Sequence, residues 1–131
     1  MENGFSIKDS GERRLYDTGA VRDRQHGKGR FDLLPPKAIK RLAEHFELGA
    51  EKYGERNWEK GISISNYTDS ALRHIFCYLD GETDEDHLIA GAWNLLCAVQ
   101  TEMEKPEQQD IPKRRKRDPE LDPSYYFGGT K

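Results

Sequence analysis

The chain has 131 residues, of which 34% are hydrophobic and 34% are charged, and its formal net charge is −3. This size and composition predict one domain with a thin core, and the negative charge argues against general nucleic-acid binding through the overall field. The first thirty residues carry no apolar run, so we expect no secretory signal, and no segment approaches membrane-spanning length. Two cysteines without a secretory pattern, Cys77 and Cys97, indicate a reduced, cytoplasmic protein.

Composition along the chain predicts three regions. Residues 1–26 are polar without a lasting period, and we expect them to be extended or poorly ordered. Residues 27–104 hold most of the apolar side chains and predict a helical domain. Residues 105–131 show no period and are interpreted as a polar tail with a basic run, Lys113–Arg117. Such a run could contact nucleic acid or an acidic partner, but it is more often simply solvated.

Three helices are predicted within the central region, in an all-α fold, because no strand is strongly indicated. The first runs from about 36 to 54, since proline suits a first helical position and Gly54 suits a helix end. The second spans about 66–80, with Asn66 and Asp69 as a weakened capping box, and the third runs from Asp84, a candidate N-cap, to about 104. Spacings of three and four residues predict the core-facing side chains, which are Ile39, Leu42, Ala43, Phe46, Ala50, Tyr53, Leu72, Ile75, Phe76, Leu79, Ile89, Ala92, Leu96, Val99 and Met103.

So small a helical core also predicts an oligomer. About seventy residues of helix rarely supply more than a few kcal/mol of core stability, so we expect helix faces to be buried between copies of the chain.

Two acidic clusters form the first candidate site. Glu44, Glu47 and Glu51 lie at steps of three and four, which places them on one stripe of the first helix. A divalent cation would turn their mutual repulsion into ligation, because Mg²⁺ and Mn²⁺ prefer oxygen ligands. The second cluster is Asp84–Asp86, in which Glu85 falls on the apolar line of the third helix if its period is extended backward. The alternatives are a solvated acidic face for the stripe and a frayed first turn for Glu85.

Cationic residues lie on both sides of these clusters. Lys28 and Arg30 occupy a glycine-bearing loop that could bring their charges and backbone N–H groups onto a nucleotide, although no P-loop pattern is present. Arg73, beside His74 in the second helix, needs a carboxylate or phosphate partner. The alternative for Arg73 is a structural ion pair with Asp84 or Glu82.

The loop that follows Gly54 is rich in side chains able to bind a ligand. Lys52, Arg56 and Asn57 place cationic and amide groups near the acidic stripe. Trp58 offers a surface on which a base could stack, although a single tryptophan is more often a core or loop anchor.

These residue types together predict cleavage of a phosphoanhydride by water. Carboxylates would hold two or three divalent ions that neutralise a triphosphate and lower the pKa of a bound water. Glu44 or Glu47 could accept the proton of that water, and Arg73 could stabilise charge on the departing phosphates. No Ser/His/Asp or Cys/His nucleophile pattern is present, which agrees with direct attack by water.

Short motifs over residues 27–94 resemble the MazG-like superfamily of all-α nucleoside triphosphate pyrophosphohydrolases, and within it the MazZ-like phage dATP/dGTP diphosphohydrolases. Glu44-His45-Phe46-Glu47 is similar to the first ExxE motif of the superfamily. The other matching stretches, in chain order, are 27–36, Gly49–Gly54, Arg56–Trp58, Ser70–His74, Gly81-Glu82, Glu85–Leu88 and Trp93-Asn94.

One motif departs from the superfamily, whose second acidic motif is ExxD. The candidates here are Glu82–Glu85 or the adjacent pair Glu85-Asp86, and an alignment on Trp93-Asn94 would instead place His87 and Ala90 there. We therefore assign Glu85 and Asp86 as metal ligands from the helix geometry.

The resemblance implies a compact helical bundle that binds Mg²⁺ or Mn²⁺ and hydrolyses dGTP and dATP to monophosphates as a homodimer or homotetramer. In a phage, in the host cytoplasm, this activity would supply dGMP for 2-aminoadenine nucleotide synthesis and deplete dATP. The resemblance extends the predicted substrate-binding set, which becomes Lys28, Gly29, Arg30, Asp32, Lys52, Arg56, Asn57, Trp58, Arg73, His74 and Asn94. The alternatives are a house-cleaning pyrophosphohydrolase for dUTP or damaged nucleotides, and a non-catalytic helical binding module.

Overall fold

The computed structural model describes residues 4–115. Residues 1–3 and 116–131 lie outside the described part, and with them the end of the basic run and most of the predicted tail. The chain divides into two compact units, one ending at Pro35 and the other beginning at Pro36. Among the helices of residues 4–115, none has the length and apolar character needed to cross a membrane.

A small hairpin organises the first unit. Strand β1, Arg13–Leu15, pairs antiparallel with strand β2, Val21–Asp23, so that Arg13 lies opposite Asp23. Asp23 accepts a hydrogen bond from the Ser10 backbone N–H at 3.1 Å, and its hydrogen bonds with Ser10 lower the pKa of Asp23. The sequence predicts no strand here, because each strand has only three residues, nearly all of them exposed, and they show no apolar alternation. A single 3₁₀ turn, Phe31–Leu33, follows the hairpin.

The second unit contains the three helices that the sequence predicts, which confirms the helical fold. Helix α1 spans Pro36–Tyr53, α2 spans Ile64–Leu79 and α3 spans His87–Glu104. Short 3₁₀ turns, Asn57–Lys60 and Pro106–Gln108, precede α2 and follow α3. The most extensive packing is between α2 and α3, and α1 also packs against α3.

Small residues allow α2 and α3 to approach closely. Ala71, Ala90 and Gly91 are buried where the two helices meet. A Cβ on Gly91 would lie 3.5 Å from Ile75 Cγ1 and 3.7 Å from the Ala71 carbonyl oxygen, which is ordinary contact. The rest of the core is built on four buried residues, with aromatic and aliphatic side chains packed around them: Ile64, Tyr67, Cys97 and Ala98, surrounded by Phe46, Trp58, Ile62, Trp93 and Ile111.

The predicted core faces of α2 and α3 are wrong for the single chain. On α2, Leu72, Phe76 and Leu79 are 55%, 67% and 72% exposed. On α3, Val99 and Met103 are 55% and 76% exposed. Hydrophobic periodicity finds the face rich in large apolar side chains, but the chain buries the adjacent face of small residues, because only that face permits close packing.

Helix starts also differ from the prediction. The N-cap of α3 is Asp86 and not Asp84, since the Asp86 carboxylate accepts a hydrogen bond from the Ile89 N–H at 3.3 Å. Glu85 therefore precedes the helix, and the argument that extended the helical period back to Glu85 does not apply. Asn66 and Asp69 form no capping box, because Asn66 donates to Ser63 and Asp69 pairs with Arg73.

The chain after α3 returns to the start of α2. The Asp110 carboxylate accepts a hydrogen bond from the Ser65 N–H at 2.9 Å and another from the Ser65 hydroxyl, so it serves the free N–H groups of the α2 N-terminus. Gln109 donates to Glu102 at 2.7 Å, and Ile111 packs against the core. These residues belong to the predicted tail, yet they pack on the helices.

Candidate functional site

A pocket of about 560 Å³ lies among α1, the loop after α1, the start of α2 and the middle of α3. Four predicted substrate-binding residues line it, namely Arg56, Asn57, Trp58 and Asn94. A pocket of this size can hold a nucleobase with part of its sugar, because small-ligand sites have volumes of this order.

Aromatic rings form much of the pocket wall. Phe46 lies edge-on to Trp58 at 6.1 Å and to Trp93 at 5.8 Å between ring centroids. The Tyr67 hydroxyl donates a long hydrogen bond of 3.4 Å to the Trp58 carbonyl oxygen. Trp93 Nε1 is buried without a hydrogen-bond partner among the described residues. Faces of this kind suit a flat base, and Asn94, which is 6% exposed, adds a polar group.

The loop that carries Trp58 has an unusual backbone. Gly54 has a φ of 97° and Gly61 a φ of 113°, and Arg56 is the one non-glycine residue with positive φ among the described residues, at 60°. A non-glycine residue in this region costs on the order of 1–3 kcal/mol and often marks a functional loop. The Arg56 guanidinium pairs with the Glu59 carboxylate at 2.7 Å, which holds the 3₁₀ turn that presents Trp58.

The acidic stripe of α1 lies beside this pocket. Glu47 and Glu51 directly follow the pocket-lining residues Phe46 and Ala50. Glu44, Glu47 and Glu51 are exposed, and no described cation pairs with them. Their oxygens are spread out, since no three carboxylates of residues 4–115 place an oxygen each within 4.8 Å of one another.

The second predicted acidic cluster has a structural role. Asp86 accepts from Arg41 of α1, with Nε and Oδ2 2.7 Å apart, and the same carboxylate caps α3. The Arg41 guanidinium lowers the pKa of Asp86. Glu85 is exposed in the loop before α3. The structure therefore does not assemble Glu85 and Asp86 with the α1 stripe into one set of ligands.

The remaining predicted residues of the helical unit do not line the pocket. Arg73 is exposed and pairs with Asp69 at 2.9 Å, so its partner is neither Asp84 nor Glu82. Lys52 lies over the Tyr53 ring at 5.1 Å. His74 contacts His87, with their Nδ1 atoms 2.9 Å apart.

The predicted phosphate-binding loop belongs to the first unit. There Arg30 donates twice to Asp32, at 2.8 and 2.7 Å, and Lys28 lies 3.6 Å from Asp23. Gly29 has a φ of 85°, so a glycine suits this position in the loop.

Sequence reasoning missed most of the pocket lining, including two residues at the start of α2. Asn66 and Tyr67 line the pocket from the first turns of α2. Asn66 and Asp69 have the spacing of an ExxD motif with asparagine in the first place, and this spacing is a sequence signal that a capping box shares.

Comparison with known proteins shows the family of the chain. The family model described as dATP/dGTP diphosphohydrolase, N-terminal, matches residues 18–111. The chain belongs to this family. The match covers the three helices and the pocket, so the resemblance inferred from short motifs is confirmed.

A curated relative supports the same assignment over a shorter stretch. A dATP/dGTP diphosphohydrolase of Salmonella phage PMBT28 is 33% identical to this chain over 61 residues. These residues are 47% of this chain and 20% of that protein. The matched stretch thus spans about a fifth of the relative's length. No solved structure matches the chain.

Proposed function

We propose that the protein hydrolyses dGTP and dATP to the monophosphates in a reaction that depends on a divalent metal. One observation carries the proposal: α1 presents an aromatic-walled pocket and a stripe of unpaired carboxylates from neighbouring positions. Phe46 and Ala50 line the pocket, and the adjacent Glu47 and Glu51 are exposed without a described partner. A nucleotide could therefore place its base in the pocket and its phosphates along the stripe.

The pocket suits a purine. Trp58 and Trp93 offer ring faces for stacking, which is worth about 1–3 kcal/mol for each base stacked on an aromatic ring. Asn57, Asn66 and Asn94 lie in the lining and carry both donors and acceptors. Amides of this kind can read the edge of a base, because each can pair with a carbonyl and an amino group.

The donor chemistry of the α1 stripe fits a hard divalent cation. Glu44, Glu47 and Glu51 provide only carboxylate oxygens, and no described cation competes for them. Mg²⁺ or Mn²⁺ bound there would neutralise phosphate charge and lower the pKa of a water. Asp86 would have to leave Arg41 to become a ligand, so we rank the stripe above Asp86 and Glu85 as the metal-binding set.

Groups of the chain itself would orient the substrate. Arg56 and Lys52 lie at the end of α1 near the pocket and could attract the phosphates, although Arg56 now pairs with Glu59. Glu44 or Glu47 could accept the proton of the attacking water. Lys28 and Arg30 belong to the first unit, where each pairs with a carboxylate, and their role as phosphate ligands stays a prediction from the sequence.

We also propose that the functional form is a homodimer or homotetramer. The large apolar side chains on α2 and α3 that the single chain leaves exposed include Leu72, Phe76, Leu79, Val99 and Met103. Contact between copies of the chain would bury side chains of this kind, because interfaces between identical subunits are rich in apolar residues. Light scattering after size-exclusion chromatography measures the subunit count, and Phe76→Glu should lower it.

The biological role follows from the proposed reaction. In a phage that replaces adenine with 2-aminoadenine, the products would supply dGMP for that synthesis, and dATP would be depleted in the host cytoplasm. Comparing kcat/KM for dGTP, dATP and dUTP separates this role from a house-cleaning role.

The direct test is turnover of dGTP with Mn²⁺, followed by chromatography of the products. We expect dGMP, a lower rate with dUTP and loss of activity in EDTA. Absence of monophosphate from every deoxynucleoside triphosphate, or full activity in EDTA, would contradict the proposal. A non-catalytic binding module would give the first of these results.

A further inference from the structure

The C-terminus of α2 brings an acidic residue back over a cysteine. The Glu82 N–H donates to the Cys77 carbonyl oxygen at 3.0 Å, and the Gly81 N–H donates to the Tyr78 carbonyl oxygen at 3.0 Å. This pair of bonds is the Schellman motif, and the glycine at position 81 supplies its left-handed residue, with a φ of 80°. Glu82 is therefore held near the Cys77 side chain by local sequence.

The start of α3 adds a histidine to the same place. His87 is 4% exposed, and ligand atoms of Cys77, Glu82 and His87 all lie within 4.8 Å of one another. Within residues 4–115 this is the one group of three or more cysteine, histidine and acidic side chains that meets this distance. None of the three lines the aromatic pocket.

Hydrogen bonds determine which lone pairs are available. His87 Nε2 lies 2.8 Å from an Asp84 carboxylate oxygen, so this nitrogen carries the proton and donates. The neutral ring then has its lone pair on Nδ1, which lies 2.9 Å from His74 Nδ1. The His74 ring donates to this lone pair in its Nδ1–H tautomer. The other His74 tautomer, which carries its proton on Nε2, would leave the His87 lone pair free for a cation.

We propose that Cys77, Glu82 and His87 form a site for Zn²⁺ or a similar transition-metal ion. Thiolate, imidazole and carboxylate are the donors that zinc takes in proteins, and magnesium avoids the sulfur. The Asp84 carboxylate would fix the orientation of the His87 ring, because a metal-bound histidine usually donates its other ring N–H to a carboxylate or carbonyl oxygen. Glu82 and Asp84 already make the cluster anionic, which favours a cation there.

The site differs in chemistry from the carboxylate stripe of α1. The stripe offers oxygen alone, whereas the cluster at the α2–α3 turn offers sulfur and nitrogen. A cobalt ion bound to a thiolate absorbs through charge transfer in the near ultraviolet, and a cobalt ion bound only to oxygens does not. Cobalt therefore reports on the proposed site even when the stripe also binds metal.

The test uses the full 131-residue chain, reduced and stripped of metal, and titrated with Co²⁺. We expect a saturable thiolate band for the wild type and for Cys97→Ala, which removes the other cysteine, and no band for Cys77→Ser. One equivalent of Zn²⁺ should displace the cobalt. Absence of the band in the wild type, or its persistence in Cys77→Ser, would overturn the proposal.

A second measurement keeps the proposal testable if Cys77→Ser folds poorly. Asp84 and Glu82 are exposed, so their amide variants should fold. In competition with a chromophoric chelator, Asp84→Asn should weaken zinc binding about 10- to 100-fold, which is the usual effect of removing the group that hydrogen-bonds to a metal ligand. Glu82→Gln should weaken it as well. Unchanged zinc affinity in both variants would show that the cluster is not the site.

Discussion

A pair of glycine substitutions separates the pocket from the stability of the helices. Gly49 lies in α1 at the pocket, and Gly91 lies in α3 against α2, away from the pocket. Replacing glycine by alanine inside a helix stabilises it by about 0.5–1 kcal/mol, because the unfolded chain loses freedom. The added Cβ would lie 4.0 Å from Trp93 at Gly49 and 3.5 Å from Ile75 at Gly91. Neither position clashes.

Both variants should therefore be more stable than the wild type, and the new methyl at Gly91 adds further buried contact. The gain at Gly91 should be about 1–2 kcal/mol, which combines helix propensity with burial of one methyl group at about 0.8 kcal/mol. For a domain of this size, each kcal/mol raises the Tm by about 4–8 °C. Urea unfolding followed by far-ultraviolet circular dichroism measures the free energy of unfolding of the two variants. All samples need the same protein concentration, because the stability of an oligomer depends on concentration.

Activity should then distinguish the two variants. The methyl at Gly49 enters the pocket proposed to hold the base, and overfilling a fitted site costs about 1–3 kcal/mol, which corresponds to a rise in KM of roughly 5- to 150-fold. Gly91→Ala should leave the KM for dGTP unchanged. An unchanged KM in Gly49→Ala would refute the assignment of this pocket to the base. A loss of stability in Gly91→Ala would refute the packing argument for α2 and α3.

The remaining predictions concern single residues. Glu47→Gln should lower kcat by about 100-fold or more if this carboxylate holds metal or accepts a proton. The control Glu104→Gln, at the end of α3, should keep the wild-type kcat. A wild-type kcat in Glu47→Gln as well would mean that the stripe is only a solvated face. Without metal, Glu47→Gln should unfold at the same or slightly higher urea concentration. Burial raises the pKa of Cys97 to about 12, so iodoacetamide at mildly alkaline pH should label Cys97 only in denaturant, as read by mass spectrometry; native labelling would contradict its burial. Gly61→Ala should destabilise by about 1–3 kcal/mol, because the residue has a φ of 113° and a new Cβ would lie 3.2 Å from Gln108 Nε2. Wild-type stability in that variant would show that the loop relaxes freely.

Local sequence was sufficient for the helices and for much of the pocket loop. Pro36 begins α1 as expected, and Gly54 follows its last residue. The loop at Arg56–Trp58 was recognised because cationic, amide and aromatic side chains stand together between two periodic segments. Such features depend on backbone preferences and composition within a few residues, which a single sequence displays directly.

Tertiary packing decided which helix faces are buried. The sequence locates the large apolar side chains of α2 and α3 on one face of each helix. Phe76 and Met103 on these faces are nevertheless mostly exposed in the single chain. The period of a helix says where its large apolar side chains lie, but only contact with another element says what covers them. Close approach through Ala71 and Gly91 determined the buried face.

Contacts between distant residues were likewise beyond reach of the sequence. Asp86 was expected to bind metal, and the structure instead pairs it with Arg41, 45 residues earlier. Asp110 was placed in a tail, but it completes the N-terminus of α2, which lies 45 residues before it. The meeting of Cys77, Glu82 and His87 needs both the turn after α2 and the packing of α3. The sequence determined which residue types could bind a metal or a substrate. The fold decided which of them meet, because a carboxylate pairs with the cation that lies nearest to it, and only the folded chain sets the distances between residues far apart in sequence.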